Sequence, residues 1–124
     1  MFDLLKIRIF GQQPAAKISD QLLDSVIERE YKSKTDIVKT MLENIKSESR
    51  AGKNRIAADV LKLADKNIEI IDGLIEKANN DSRDIITKAE YPRCAKIGFD
   101  ELDKKQMKKI YIEDFIEYSN WLNK

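Results

Sequence analysis

The apolar residues of this chain recur in short stripes at helical spacing, set apart by polar breaks. Leu22, Leu23, Val26 and Ile27 form one stripe, with Tyr31 a turn further on. Ile37, Val38, Met41, Leu42 and Ile45 form a second, and Lys39, Glu43, Lys46 and Glu48 occupy the other faces. Ile56, Ala57, Val60, Leu61 and Ala64 make a third, and Ile68, Ile71, Leu74, Ile75 and Ala78 a fourth. Ile85, Ile86 and Ala89 make a shorter fifth. The strongest stripe comes last: Met107, Ile110, Tyr111, Phe115, Tyr118 and Leu122, at spacings of three and four. A helix patterned this way must bury its stripe against a neighbour. Short links favour antiparallel neighbours, and residues 55–65 with 67–79 fit such a hairpin.

The breaks supply start and stop signals. Ser19 or Asp20 is placed to cap the first helix, Ser33 with Asp36 resembles a capping arrangement, and Asn67 and Asp81 are further candidate caps. Asp103 and Gln106 stand at capping-box spacing before the last stripe. The most polar stretch, 46–55, reads either as a loop around Gly52 or as a helix running through. At the N-terminus "LLKIRIF" alternates loosely, which suits a short strand over 4–10, and "GQQP" then punctuates. In "AEYPRCAKIGFDELDKK", Pro92 biases Tyr91 away from helix and ends the segment before it, so 89–105 reads as a corner leading to the last helix. The expected fold is all-α: a single helical domain over 1–124, a compact bundle or orthogonal array of five to six helices. Residues 1–16 form an N-terminal extension or short strand packed on it.

Composition narrows the function classes. Of the 124 residues, 42% are apolar and 36% charged, enough Leu, Ile and Val for one real core. Twenty-three basic residues face 22 acidic ones, and the balance holds along the chain: nine against eight over 1–50, nine against nine over 51–100, five against five over 101–124. No arm has a strong sign, so composition gives no support to nucleic-acid or anionic-membrane binding. No apolar run approaches the roughly 20 residues that span a bilayer. Asp3, Lys6 and Arg8 interrupt the start, which does not read as a signal peptide. A cytoplasmic location is expected.

Candidate chemistry is sparse. With no histidine, the usual Ser-His-Asp and Cys-His arrangements and histidine zinc sites are excluded, and one cysteine makes neither a disulfide nor a thiolate cluster. No cofactor and no structural metal are expected. Cys94 reads as a small apolar group at a corner, with a thiol activated by Arg93 as the alternative. Tyr91 and Arg93 flank Pro92; they are candidate protein-binding residues, or else Tyr91 covers one end of the core while Arg93 pairs with Asp100 or Glu101. Tyr118 and Trp121 are candidates of the same kind, or anchors of the last helix. Lys104, Lys105, Lys108 and Lys109 are flanked by acids and read as a salt-bridged wet face.

Three functional readings follow. The first is a non-catalytic protein that binds a protein partner or a second copy of itself. The second rests on "AAKISDQLLDSVIEREYKSKTDIVKTMLENI", whose order of extended piece, helix, brief turn and helix resembles the ribbon-helix-helix repressors over about 30 residues. That resemblance implies DNA binding by a paired ribbon, with Lys17 near the bases, and Ser33 and Lys34 at the turn near backbone phosphate. Pro14 and the absence of glycine from the turn depart from the pattern. The third is a small enzyme using converging Asp and Glu side chains or Cys94.

Overall fold

A computed structural model describes residues 17–98 and 103–124. The strand expected over 4–10, the packing of residues 1–16, and the pairing of Arg93 with Asp100 or Glu101 lie outside the described residues. Within them the protein is all-α, with seven α-helices and two 3-10 turns. These are α1 (Asp20–Tyr31), α2 (Thr35–Leu42), α3 (Arg50–Ala64), α4 (Ile71–Asn80), α5 (Ser82–Glu90), α6 (Pro92–Ile97) and α7 (Lys104–Leu122). The 3-10 turns, Lys32–Lys34 and Ile68–Ile70, lead into α2 and α4.

Side-chain caps set most helix starts. Ser19 accepts from the Leu22 amide before α1, and Ser49 from the Gly52 amide before α3. Asn67 caps the second 3-10 turn through the Glu69 amide, and Asp81 caps α5 through the Arg83 amide. Before α7 the capping box closes in both directions: the Gln106 amide donates to Asp103 at 2.8 Å, and the Asp103 amide to Gln106 at 3.3 Å. Ser33 does not cap α2. A 3-10 turn carries the chain into Thr35, and the capping position falls to Lys34, whose side chain makes no capping bond.

The polar stretch 46–55 is divided at Ser49, coil before it and helix from Arg50. Gly52 belongs to the first turn of that helix. A Cβ there would lie 2.8 Å from the Ser47 hydroxyl oxygen and 2.9 Å from that of Ser49, so a larger residue would force one or both hydroxyls off the turn. Asn79 of α4 ties the preceding coil down in both directions, accepting from the Lys46 amide at 2.9 Å and donating to the Asn44 carbonyl at 3.0 Å.

The corner over 89–105 contains a helix of its own. Pro92 ends α5 and opens α6, because a residue without an amide hydrogen suits the first helical position. α6 is a helix of six residues set within that corner, and the fold is the expected all-α helical array.

Buried apolar residues from α1 to α5 and from the end of α7 form one contiguous cluster, joined by Ile18 and Ile45 outside the helices and without Ala89 of α5. Its centre is α3. Ala57, Ala58, Val60 and Leu61 are all at most 2% exposed, so this helix is covered on more than one side. α5, α4 and α1 pack around it, and α7 lies on α6 and α5.

Candidate functional site: a buried carboxyl pair where three helices meet

The most unusual chemistry lies inside the fold. Asp59 stands in the middle of α3 and is fully buried; Glu90, the last residue of α5, is 4% exposed. Burial alone makes an ionised carboxylate costly unless donors surround it. Arg55, one turn before Asp59 on α3, supplies Glu90 with two parallel bonds, from Nε to Oε2 and from Nη2 to Oε1, each 2.8 Å. Tyr118 comes from α7 and donates its hydroxyl to Asp59 Oδ1 at 2.5 Å. Asp59 Oδ2 is buried and finds no donor among the described residues. Arg55, which holds Glu90, stands one helical turn from Asp59, so the two buried carboxyls belong to one cluster.

Two carboxylates cannot bond to each other unless one carries a proton. Glu90 has the guanidinium on both oxygens, whereas Asp59 has one donor, the Tyr118 hydroxyl. Burial, then the hydrogen bond and charge of Glu90, push the Asp59 carboxyl well above its ordinary range, against the opposing effects of Tyr118 and Arg55. The Tyr118 phenol is pushed up in turn, chiefly by burial and by Asp59. Tyr91 stands at the edge of the cluster, where burial and Glu90 raise its phenol to about 12 against the opposing effect of Arg55.

A second buried acid organises the corner. Asp114 of α7 is fully buried and faces the start of α6. Its Oδ1 accepts from the Arg93 amide at 3.2 Å and from Arg93 Nη1 at 2.9 Å, and its Oδ2 accepts from the Cys94 amide at 3.3 Å. No side chain at Tyr91 caps α6, so an acid twenty residues along the chain supplies the cap. Arg93 also reaches Glu113 at 3.6 Å and Glu117 at 3.5 Å. Cys94 is fully buried, and burial together with Asp114 raises its thiol to about 12, away from the thiolate that reactivity requires.

The candidate protein-binding residues fall into different settings. Tyr118 is buried, its hydroxyl spent on Asp59. Tyr91 is half-buried, its ring 6.2 Å from that of Tyr111, and Arg93 spans the acids of α7. Trp121 is half-buried against the core; the Arg29 guanidinium lies 5.3 Å from the centre of its ring and donates to the Leu122 carbonyl, which fastens the end of α7 to α1. A broad groove of about 450 Å³ runs along it, with Lys62, Asp65, Glu117 and Lys124 also on its walls.

Lys17, Ser33 and Lys34 are exposed. The helices on either side of Ser33, however, bury Val26, Ile27, Tyr31, Val38 and Leu42 in this chain's own core. In a ribbon-helix-helix protein those faces would build the contact with a second chain, so the DNA-binding reading gains no support.

Sequence reasoning missed Asp59, Glu90 and Asp114. The signal for Asp59 is an acid inside the apolar run "IAADVL"; Glu90 directly follows Ala89 of its stripe, and Asp114 falls four residues before Tyr118. Among the described residues, no group of three or more Cys, Asp or Glu side chains is placed to hold a metal ion. No described helix is long and apolar enough to cross a membrane. Comparison with known protein families, curated proteins and solved structures finds no match.

Proposed function

We propose that this helical domain works by docking another protein, without chemistry of its own. The observation that carries this reading is a cleft of about 120 Å³ where α1, α2 and α3 meet. Leu23, Ile27, Leu42 and Ala57 line its apolar part, and Asp24, Lys39, Glu43 and Lys53 stand around it. An apolar notch ringed by charge is the form that a partner's anchoring side chain fills, and its size approaches the ~150 Å³ that holds one benzene ring. Acids and thiol that would serve an enzyme are turned inward instead: Asp59, Asp114 and Cys94 are fully buried and Glu90 nearly so. The carboxyl pair converges, as acid–base catalysis requires, but it presents no surface to a substrate.

A photocrosslinking residue at position 23, beside the cleft, and another at the exposed position 72 on α4, tests the reading in extracts of the native cell. Position 23 is expected to give a discrete adduct that wild-type protein competes away and Leu23→Lys protein does not. Identical adducts from both positions, or none from position 23, overturn it.

A further inference from the structure

We propose that one proton held between Asp59 and Glu90 locks α7 onto α3 and α5, so that α7 docks less tightly as pH rises. Three helices supply the parts. α3 carries Asp59 and Arg55, α5 ends on Glu90, and α7 brings Tyr118. Tyr118 has one hydroxyl hydrogen, and it goes to Asp59 Oδ1. Arg55 directs Nε and Nη2 to Glu90. Asp59 Oδ2 is left buried with no donor among the described residues, and a proton of its own relieves the charge that its surroundings leave unmatched.

With that proton the cluster is neutral: Arg55 offsets Glu90, and Asp59 carries no charge. Without it, one uncompensated negative charge sits at a fully buried position between three helices. The ionisable groups acting on Asp59 are Glu90 from α5, Tyr118 from α7 and Arg55 from its own helix. Tyr91, just past α5, acts through Arg55. α1 and α4 also pack on α3.

The helix that yields is set by the contacts. α3 and α5 share the largest interface among the described helices, whereas α7 meets α5 over a small one. Lifting the C-terminal half of α7 withdraws the Tyr118 ring and lets water reach Asp59, at the loss of the Leu122 and Trp121 packing and of the Arg29 bond to the Leu122 carbonyl. In the open state Asp59 returns toward its ordinary pKa of 3.8. Between that value and the raised closed-state value, the closed state binds the extra proton. Each unit of pH in this window therefore multiplies the opening constant of α7 about tenfold.

Amide hydrogen exchange of the intact protein, from mildly acidic to mildly alkaline pH and corrected for intrinsic base catalysis, reads this directly. Amides of residues 115–122 are expected to open more as pH rises in the wild type, by up to about tenfold per unit while Asp59 keeps its proton in the closed state. Asp59→Asn, which has the same shape and no proton to lose, is expected to show a flat profile. A flat wild-type profile overturns the lock, as does an Asn variant that follows the wild type. An equal slope at the amides of α1 and α2 also overturns it, because it would place the proton's effect on global unfolding. Should the Asn variant fail to fold, the ¹³C shift of the Asp59 carboxyl in wild-type protein at neutral pH decides. A protonated carboxyl supports the lock and an ionised one refutes it.

Discussion

At the scale of single residues, the Arg55–Glu90 pair separates the value of a contact from the cost of breaking it. A buried ion pair gains little over apolar residues of similar volume, because both charges lose water. Removing one partner is far worse, since the other is then buried alone. Glu90 is 4% exposed, and its two oxygens depend on Arg55. Arg55→Met is therefore expected to cost about 3 kcal/mol in urea denaturation at neutral pH. Arg55→Met combined with Glu90→Met is expected to cost less than Arg55→Met alone. If the double variant is the less stable of the two, Glu90 has found another source of charge compensation and the bidentate pair is not what holds it. None of this is legible from residue types alone. Arg55 and Asp59 are one helical turn apart and look like an ordinary surface pair, and only the position of α3 at the centre of the fold turns them inward.

At the scale of elements, legibility tracks distance along the chain. The Asp103–Gln106 box is a local signal: both partners and both amides lie within one turn, and the sequence shows the whole device. The start of α6 depends on Asp114, so the same chemistry is invisible there until α7 folds back. A helix of six residues has no stability of its own and relies on such outside support. Asp114→Ala takes away the acceptor for two amides and for Arg93, and is expected to cost about 2 kcal/mol. It should also expose what α6 protects. Cys94 in the folded wild type is expected to react with a thiol reagent only through rare opening, given full burial and a thiol raised to about 12. In Asp114→Ala, labelling should accelerate at least tenfold at a pH where the rest of the protein stays folded by circular dichroism. An unchanged rate would mean that packing alone holds α6 in place. Rapid labelling of the wild type would restore the activated-thiol reading.

At the scale of the whole molecule, the stripes predicted the helices but not their ranks. Each stripe has a similar width, so the sequence treats α3 as one amphipathic helix among several, with Ile56, Ala57, Val60, Leu61 and Ala64 inward and position 58 off the stripe. The structure buries Ala58 completely, and Asp59 beside it. The difference arises because small residues give weak hydrophobic signal yet allow close helix approach, so an alanine reads as neutral where two helices press together. Position 58 therefore distinguishes a central α3 from a peripheral one. Lysine and alanine have nearly equal helix propensity, so an Ala→Lys exchange on this helix tests burial with little backbone effect. At the exposed Ala51, in the first turn of α3, Ala51→Lys is expected to change stability by less than about 0.5 kcal/mol. Ala58→Lys drives a long charged side chain into a filled interior. It is expected to cost about 4 kcal/mol or more, a large share of the ~5–15 kcal/mol that holds a typical domain folded. Urea denaturation followed by far-ultraviolet circular dichroism measures both. If the two variants unfold together, α3 lies at the edge of the bundle, and the buried proton loses the enclosure on which it depends.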